Sequence, residues 1–165
     1  MAHRRPLDPR RVNVAIDANA LDLDGTPRDR LVERFKQLMV DGTIRVVTPG
    51  GVRSEVQHPH TPGTVQAAVL PQIFNLRPGL NTAQQAARTR VAAALQGNAR
   101  PGKHAADASH ISEADETGCG YFITHETRIL RKRSELYTVL SPSLNIVTLT
   151  ELFEIFDAYE AGREP

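Results

Sequence analysis

Four acidic side chains occupy positions from which their carboxylates could meet. Asp17 directly follows Val12-Asn13-Val14-Ala15-Ile16, a short apolar run that suits a buried strand. Glu55 falls in a segment that reads as the helix leaving a second strand. Asp107 falls in a helical segment leading into a third strand, Tyr121-Phe122-Ile123, and Glu126 follows that strand by three residues. Clustered carboxylates repel one another unless a cation lies between them. Hard oxygen donors, with a single Cys and few His in the chain, favour Mg²⁺ or Mn²⁺. Such an ion can polarise a phosphodiester and lower the pKa of an attacking water. Each acid also has a plainer reading. Asp17 suits a turn or helix cap, and Glu55 a solvated helix face. Asp107 stands among Ala105, Ala106 and Ala108, as in close packing, and Glu126 suits a helix start.

The elements that must position these acids follow from local pattern. Residues 1–11 read as a basic arm. Pro27 opens a helix whose apolar Leu31, Phe35, Leu38 and Met39 recur at helical spacing, and Asp41-Gly42 ends it. Ile44, Val46 and Val47 make the second strand, and Pro49 begins a helix carrying Val52 and Val56. The loop HPHTPG fills 58–63. A helical pattern then runs from about 64 to 97 in two pieces, broken near Arg77-Pro78-Gly79. Residues 98–102 form a turn and 103 to about 117 a helix. Ile146-Val147 lies in a fourth strand, and a last helix covers about 149–160. Alternating strands and helices predict a parallel α/β sheet with helices on both faces. In such sheets functional groups gather at the carboxyl ends of the strands.

Composition bounds the classes. The chain has 165 residues, 40% hydrophobic and 24% charged, with a net charge of +1. That is one ordinary globular domain, long enough to bury roughly 70% of its unfolded surface. One cysteine, Cys119, excludes a disulfide framework and a multi-cysteine zinc site. No apolar run approaches the roughly 18 residues of a spanning helix, and MAHRRPLDPRR lacks the apolar core of a secretory signal. A cytoplasmic, non-membrane setting is the expectation. The basic residues are 17 Arg and 3 Lys, which fits phosphate recognition by guanidinium groups and fits Arg-rich codon usage equally.

Three blocks resemble the PIN-domain ribonucleases. VNVAIDANAL at 12–21 is similar to that family's opening strand, ending in its first acid with an Asn two residues on. VTPGGVRSEV at 47–56 is similar to its second block, in which a Pro begins the helix carrying a Glu. HAADASHISEADETGCGYFITHETRIL at 104–130 resembles the third: an acid in a helix, a small-residue turn, an apolar strand, then Thr. The resemblance implies a single domain over 1–165. It implies a three-layer α/β/α PIN-like fold with a central, mainly parallel sheet of four to five strands. It also implies a Mg²⁺- or Mn²⁺-dependent ribonuclease acting on RNA. Asp17, Glu55 and Asp107 would hold the metal, Thr124 would support the site, and Glu126 would complete the acidic set. The fourth acid of the family is usually Asp, so Glu126 departs from it by one methylene. Asp115 is no stand-in: it lies about 12 Å along the same helix from Asp107 at 1.5 Å per residue. Many family members of this size are VapC-type toxins held by a small antitoxin, although this chain is somewhat long for that group. An antitoxin partner and a homodimer are therefore open partners. So is a catalytically degenerate domain that binds RNA or a protein.

Other features compete for attention. Asp22 and Asp24 in LDLDGT look like the nucleophile and general acid of haloacid-dehalogenase-type phosphatases. Against that, Ala18-Asn19-Ala20-Leu21 is a poor buried strand, and Asp24-Gly25 suits a turn. His58 and His60 sit in a Pro-rich loop. His104 and His110 flank Asp107 at helical spacing, and His125 adjoins Glu126. Arg128, Arg131, Lys132 and Arg133 form a basic cluster after Glu126, the expected site for an RNA backbone. Arg4, Arg5, Arg10 and Arg11 would make a second basic arm or else be disordered.

Overall fold

The structure is a computed structural model that describes residues 4–49, 74–76, 80–163 and 165. Among the described residues five strands form one sheet: β1 (Asn13–Ile16), β2 (Arg45–Pro49), β3 (Phe74–Leu76), β4 (Tyr121–Ile123) and β5 (Asn145–Val147). Their order is β3-β2-β1-β4-β5, and every neighbouring pair is parallel. The described helices are α1 (Arg28–Val40), α2 (Thr82–Gln96), α3 (Ala105–Glu116), α4 (Thr127–Arg131), α5 (Arg133–Tyr137) and α6 (Leu149–Glu160). Among the described residues no helix is long and apolar enough to cross a membrane.

Side-chain alternation in the strands explains why they read as continuous apolar runs: both faces are buried. Val14, Ile16, Val46, Tyr121, Ile123 and Val147 turn to one face and pack with Val32, Phe35 and Met39 of α1 and Leu152, Phe153 and Phe156 of α6. Ala15, Val47, Phe122 and Ile146 turn to the other. They meet Val91 and Leu95 of α2, Ala108, Ile111 and Ala114 of α3, and Leu136 of α5. The result is a three-layer α/β/α arrangement. Gly120, just before β4, has no room for a side chain, since a Cβ there would lie 2.7 Å from Val12 Cγ2.

Caps set the helix limits. Asn81 and Gln84 form a reciprocal capping box at the start of α2, with Gln84 N–H donating to Asn81 Oδ1 at 2.8 Å and Asn81 N–H to Gln84 Oε1 at 3.0 Å. Gly97, at φ 51°, ends that helix. Thr148 caps α6 by accepting the Glu151 N–H at 3.2 Å.

One expectation changes: Phe74–Leu76 is a strand paired with β2 rather than the end of a helical piece, while Pro49 is the last residue of β2. Three residues are too few to separate a period of 2 from one of 3.6, so pairing with β2 decides the outcome. The expected helix around Val52 and Val56, with Glu55, and the loop carrying His58 and His60 lie outside the described residues.

The amino-terminal arm also differs from expectation. The arm is fastened to the domain through Arg4, Pro6 and Leu7, while Arg10 and Arg11 are exposed. Arg4 donates to the carbonyls of Leu144 at 2.6 Å, Tyr137 at 2.7 Å and Leu140 at 3.2 Å, and to that of Ser141. Its guanidinium carbon lies 4.1 Å from the centre of the Tyr137 ring. The Tyr121 hydroxyl exchanges hydrogen bonds with the Leu7 backbone, and Tyr159 donates to Pro6 O at 2.7 Å. Tyr121 and the loop before β5 belong to the amino edge of the sheet, so the arm is a strap there, remote from the carboxyl edge.

Candidate active site

Strand order reverses between β1 and β4, and in open parallel sheets a crevice forms at the carboxyl ends of such a pair. The β1–β4 register pairs Ile16 with Ile123, so the next residues, Asp17 and Thr124, leave the sheet side by side. Backbone bonds hold both: Asp17 N–H donates to Ile123 O at 2.8 Å, and Thr124 N–H to Val147 O at 3.0 Å.

Asp17 is 6% exposed. Its Oδ1 accepts the Ala18 N–H at 2.9 Å, capping a short 3-10 turn over Ala18–Leu21, and its Oδ2 accepts the Thr124 hydroxyl at 2.9 Å. Each oxygen keeps one lone pair, so the carboxylate is oriented and still able to accept. The Thr124 oxygen in turn accepts the Glu126 N–H at 3.0 Å, which fixes Glu126 at the start of α4. His110, buried on α3, brings Nδ1 to 4.0 Å from Asp17 Oδ1.

Asp107 comes from the helical layer, in the first turn of α3. Its carboxyl is pushed above the ordinary range, first by burial and then by the carboxylates of Asp17 and Glu126; His110 and His104 offset part of this. His104 Nδ1 lies 3.9 Å from Asp107 Oδ2. Three of the four expected acids therefore share one electrostatic field at the carboxyl edge. Glu55 lies outside the described residues. Among the described residues no three His, Cys, Asp or Glu side chains come close enough together to hold a metal ion. The donors fit a divalent cation in kind, being carboxylate oxygens, and fall short of a complete set in number.

Other candidates take structural roles. Asp24 accepts the Thr26 N–H at 3.0 Å and the Arg28 Nε–H at 3.2 Å, the hydrogen bonding of a turn. Asp22 follows the 3-10 turn rather than a strand, so the phosphatase arrangement of Asp22 and Asp24 at a strand end is not formed. Asp22 nevertheless stands near enough to Asp17 to feel its charge; burial and that charge raise its carboxyl while Arg28 opposes them. Arg28 escaped the sequence reading. It donates to the carbonyls of Ala20, at 3.1 Å, and Asp22, binding the turn after Asp17 to α1. Its spacing of four residues from Asp24 was the available signal. The His125 imidazole is held below its ordinary value by burial and by Arg28. Cys119 is buried and packed, its thiol raised by burial.

The expected RNA-binding cluster divides. Arg128 donates to Leu95 O at 3.1 Å and to Gln96 O, closing the carboxyl end of α2. Arg133 donates to Glu151 Oε2 at 2.6 Å and Ile146 O at 3.3 Å. Lys132 Nζ lies 3.6 Å from Glu135. Arg131 is exposed, with no such partner among the described residues. Of the four, two guanidinium groups are internally engaged, one lysine is paired and one arginine is exposed.

No protein-family model matches the chain, and neither a curated protein nor a solved structure matches it.

Proposed function

We propose that the protein is a PIN-type ribonuclease that hydrolyses RNA phosphodiester bonds with Mg²⁺ or Mn²⁺. The reading rests on one observation: Asp17 and Thr124 stand joined at the β1/β4 reversal, with Asp107 and Glu126 inside the same field. Asp17, Asp107 and Glu126 would hold the ion, with Glu55 completing the set. The bound ion would supply Lewis-acid stabilisation of charge at the phosphodiester. Thr124 holds the Asp17 carboxylate in one orientation and anchors Glu126, which removes the cost of ordering them during reaction. Mutual repulsion of the acids in the free protein favours a cation that neutralises them. A toxin role with a small antitoxin, a homodimer and a cytoplasmic setting are finer parts of the same proposal. The test is cleavage of single-stranded RNA with Mn²⁺, expected to stop on chelation.

A second reading has its own observation. Because no three donors converge among the described residues, a degenerate domain that binds RNA or a protein without cutting would also use this edge. RNA binding that persists with Mn²⁺ present and without any cleavage would select it.

A further inference from the structure

The loop joining α2 to α3 reads Gly97-Asn98-Ala99-Arg100-Pro101-Gly102-Lys103-His104 and contains no carboxylate. Arg100, Pro101, Gly102 and Lys103 line an open cavity of about 620 Å³, within the size range of small-ligand sites. Both cations are exposed and neither has an ion pair or side-chain hydrogen bond among the described residues. Among the basic residues nearby, Arg131 shares that state and four do not. Arg88 is bound to Glu116, Arg128 to α2 carbonyls, Lys132 to Glu135 and Arg133 to Glu151. The positive surface continues to the other end of the loop. A Cβ at Gly97 would lie 3.0 Å from Lys132 Nζ and 3.3 Å from Arg128 Nη2. At its far end the loop reaches His104, whose ring lies beside the Asp107 carboxylate. Lys103 immediately precedes His104, so the cavity lies next along the chain to the side chain that approaches Asp107.

We propose that this cavity holds a backbone phosphate of the RNA strand beside the bond cut at the acidic edge. The inference rests on the nuclease reading and moves the strand's anchor from the 128–133 helices to the 97–104 loop. Unpaired cations suit a phosphate contact, because they release counterions on meeting phosphates and give up no internal bond to do so. Arg100 offers a planar fork for phosphate oxygens and Lys103 a point charge.

The experiment measures affinity for a short fluorescein-labelled single-stranded RNA of mixed sequence at several salt concentrations. EDTA is present throughout, so cleavage plays no part. The Arg100→Ala/Lys103→Ala double variant should lower the slope of log K against log salt by about 1.4, from about 0.7 for each lost phosphate contact. Arg100→Glu/Lys103→Glu should weaken binding further, with the melting temperature of wild type. Arg30→Ala/Arg45→Ala, exposed arginines on α1 and at the amino edge, should keep the wild-type slope. If wild type binds and the Arg100/Lys103 variants keep its slope, the cavity is not the phosphate site, while the nuclease reading stands. If wild type binds no RNA at any salt, both fall together.

Discussion

The Thr124 hydroxyl donates to Asp17 Oδ2 at 2.9 Å across a sequence separation of 107 residues, and the same oxygen accepts the Glu126 N–H at 3.0 Å. One fully buried side chain thus orients the Asp17 carboxylate and ties down the backbone of Glu126, joining segments that follow different strands. Thr124→Val keeps the shape and removes both bonds. It should cost about 1–3 kcal/mol, because a buried acceptor and a backbone donor lose their partner. Thr124→Ser should recover most of that. Urea denaturation of the three proteins checks it, and a Val variant as stable as wild type would remove the bridge from the account.

Asp107 carries a pH signature. Its folded carboxyl lies above the unfolded value, so the group favours the folded state below the unfolded pKa, and that contribution is lost as pH rises through the folded pKa. Asp107→Asn, which cannot ionise, should therefore raise the melting temperature in EDTA at neutral pH. The advantage should shrink as pH falls toward the ordinary aspartate value and vanish below it. Added Mn²⁺ should stabilise wild type by binding only the native state, and the variant should lose most of that gain. Thermal melts across pH, with and without metal, decide both points.

The strap makes a separate prediction. Arg4 binds four carbonyls around the loop before β5 and stacks on Tyr137. Arg4→Ala should cost about 1.5–3 kcal/mol, the range for hydrogen bonds to a charged group. Arg4→Lys should restore only part, since an ammonium cannot reproduce the planar fork. RNA affinity should be unaltered in both. A large loss of RNA binding in a folded Arg4→Ala protein would instead make the strap part of the nucleic-acid path.

Arg128 offers the converse control. Arg128→Ala frees the last carbonyls of α2 to water and should lower stability by about 1 kcal/mol. The salt slope of RNA binding should stay at the wild-type value. A slope lower by about 0.7 would return Arg128 to the strand contacts.

The contrast between Arg128 and Arg131 shows where sequence stops being informative. Both are one turn apart in a basic run, yet Arg128 reaches carbonyls 32 and 33 residues away while Arg131 is exposed. Charge is written in the sequence; the direction of a long side chain is set by non-local partners. Strands β1 and β4 were legible because burial on both faces leaves unbroken apolar runs, and α6 because its apolar positions keep helical spacing. Placing Asp17 and Glu126 at one edge followed from the parallel sheet alone. Strand β3 was not legible, since three residues carry no period and its pairing with β2 is tertiary. Arg4 was read only as part of a basic arm, because nothing local reveals a set of carbonyls that come together only when β5 and its preceding loop are in place.

Cleavage of single-stranded RNA by wild type and by Asp17→Asn, with Mn²⁺ and again with excess EDTA, tests the central claim most directly. Asn offers one acceptor where Asp17 has two, so Ala18 N–H or the Thr124 hydroxyl loses a bond, at about 1 kcal/mol. Relief of repulsion with Asp107 offsets that loss, so the variant should stay folded. The account predicts cleavage by wild type with Mn²⁺, none in EDTA, and none by the folded variant under either condition. Cleavage by Asp17→Asn at the wild-type rate, or wild-type cleavage untouched by EDTA, would contradict a metal-dependent nuclease centred on Asp17.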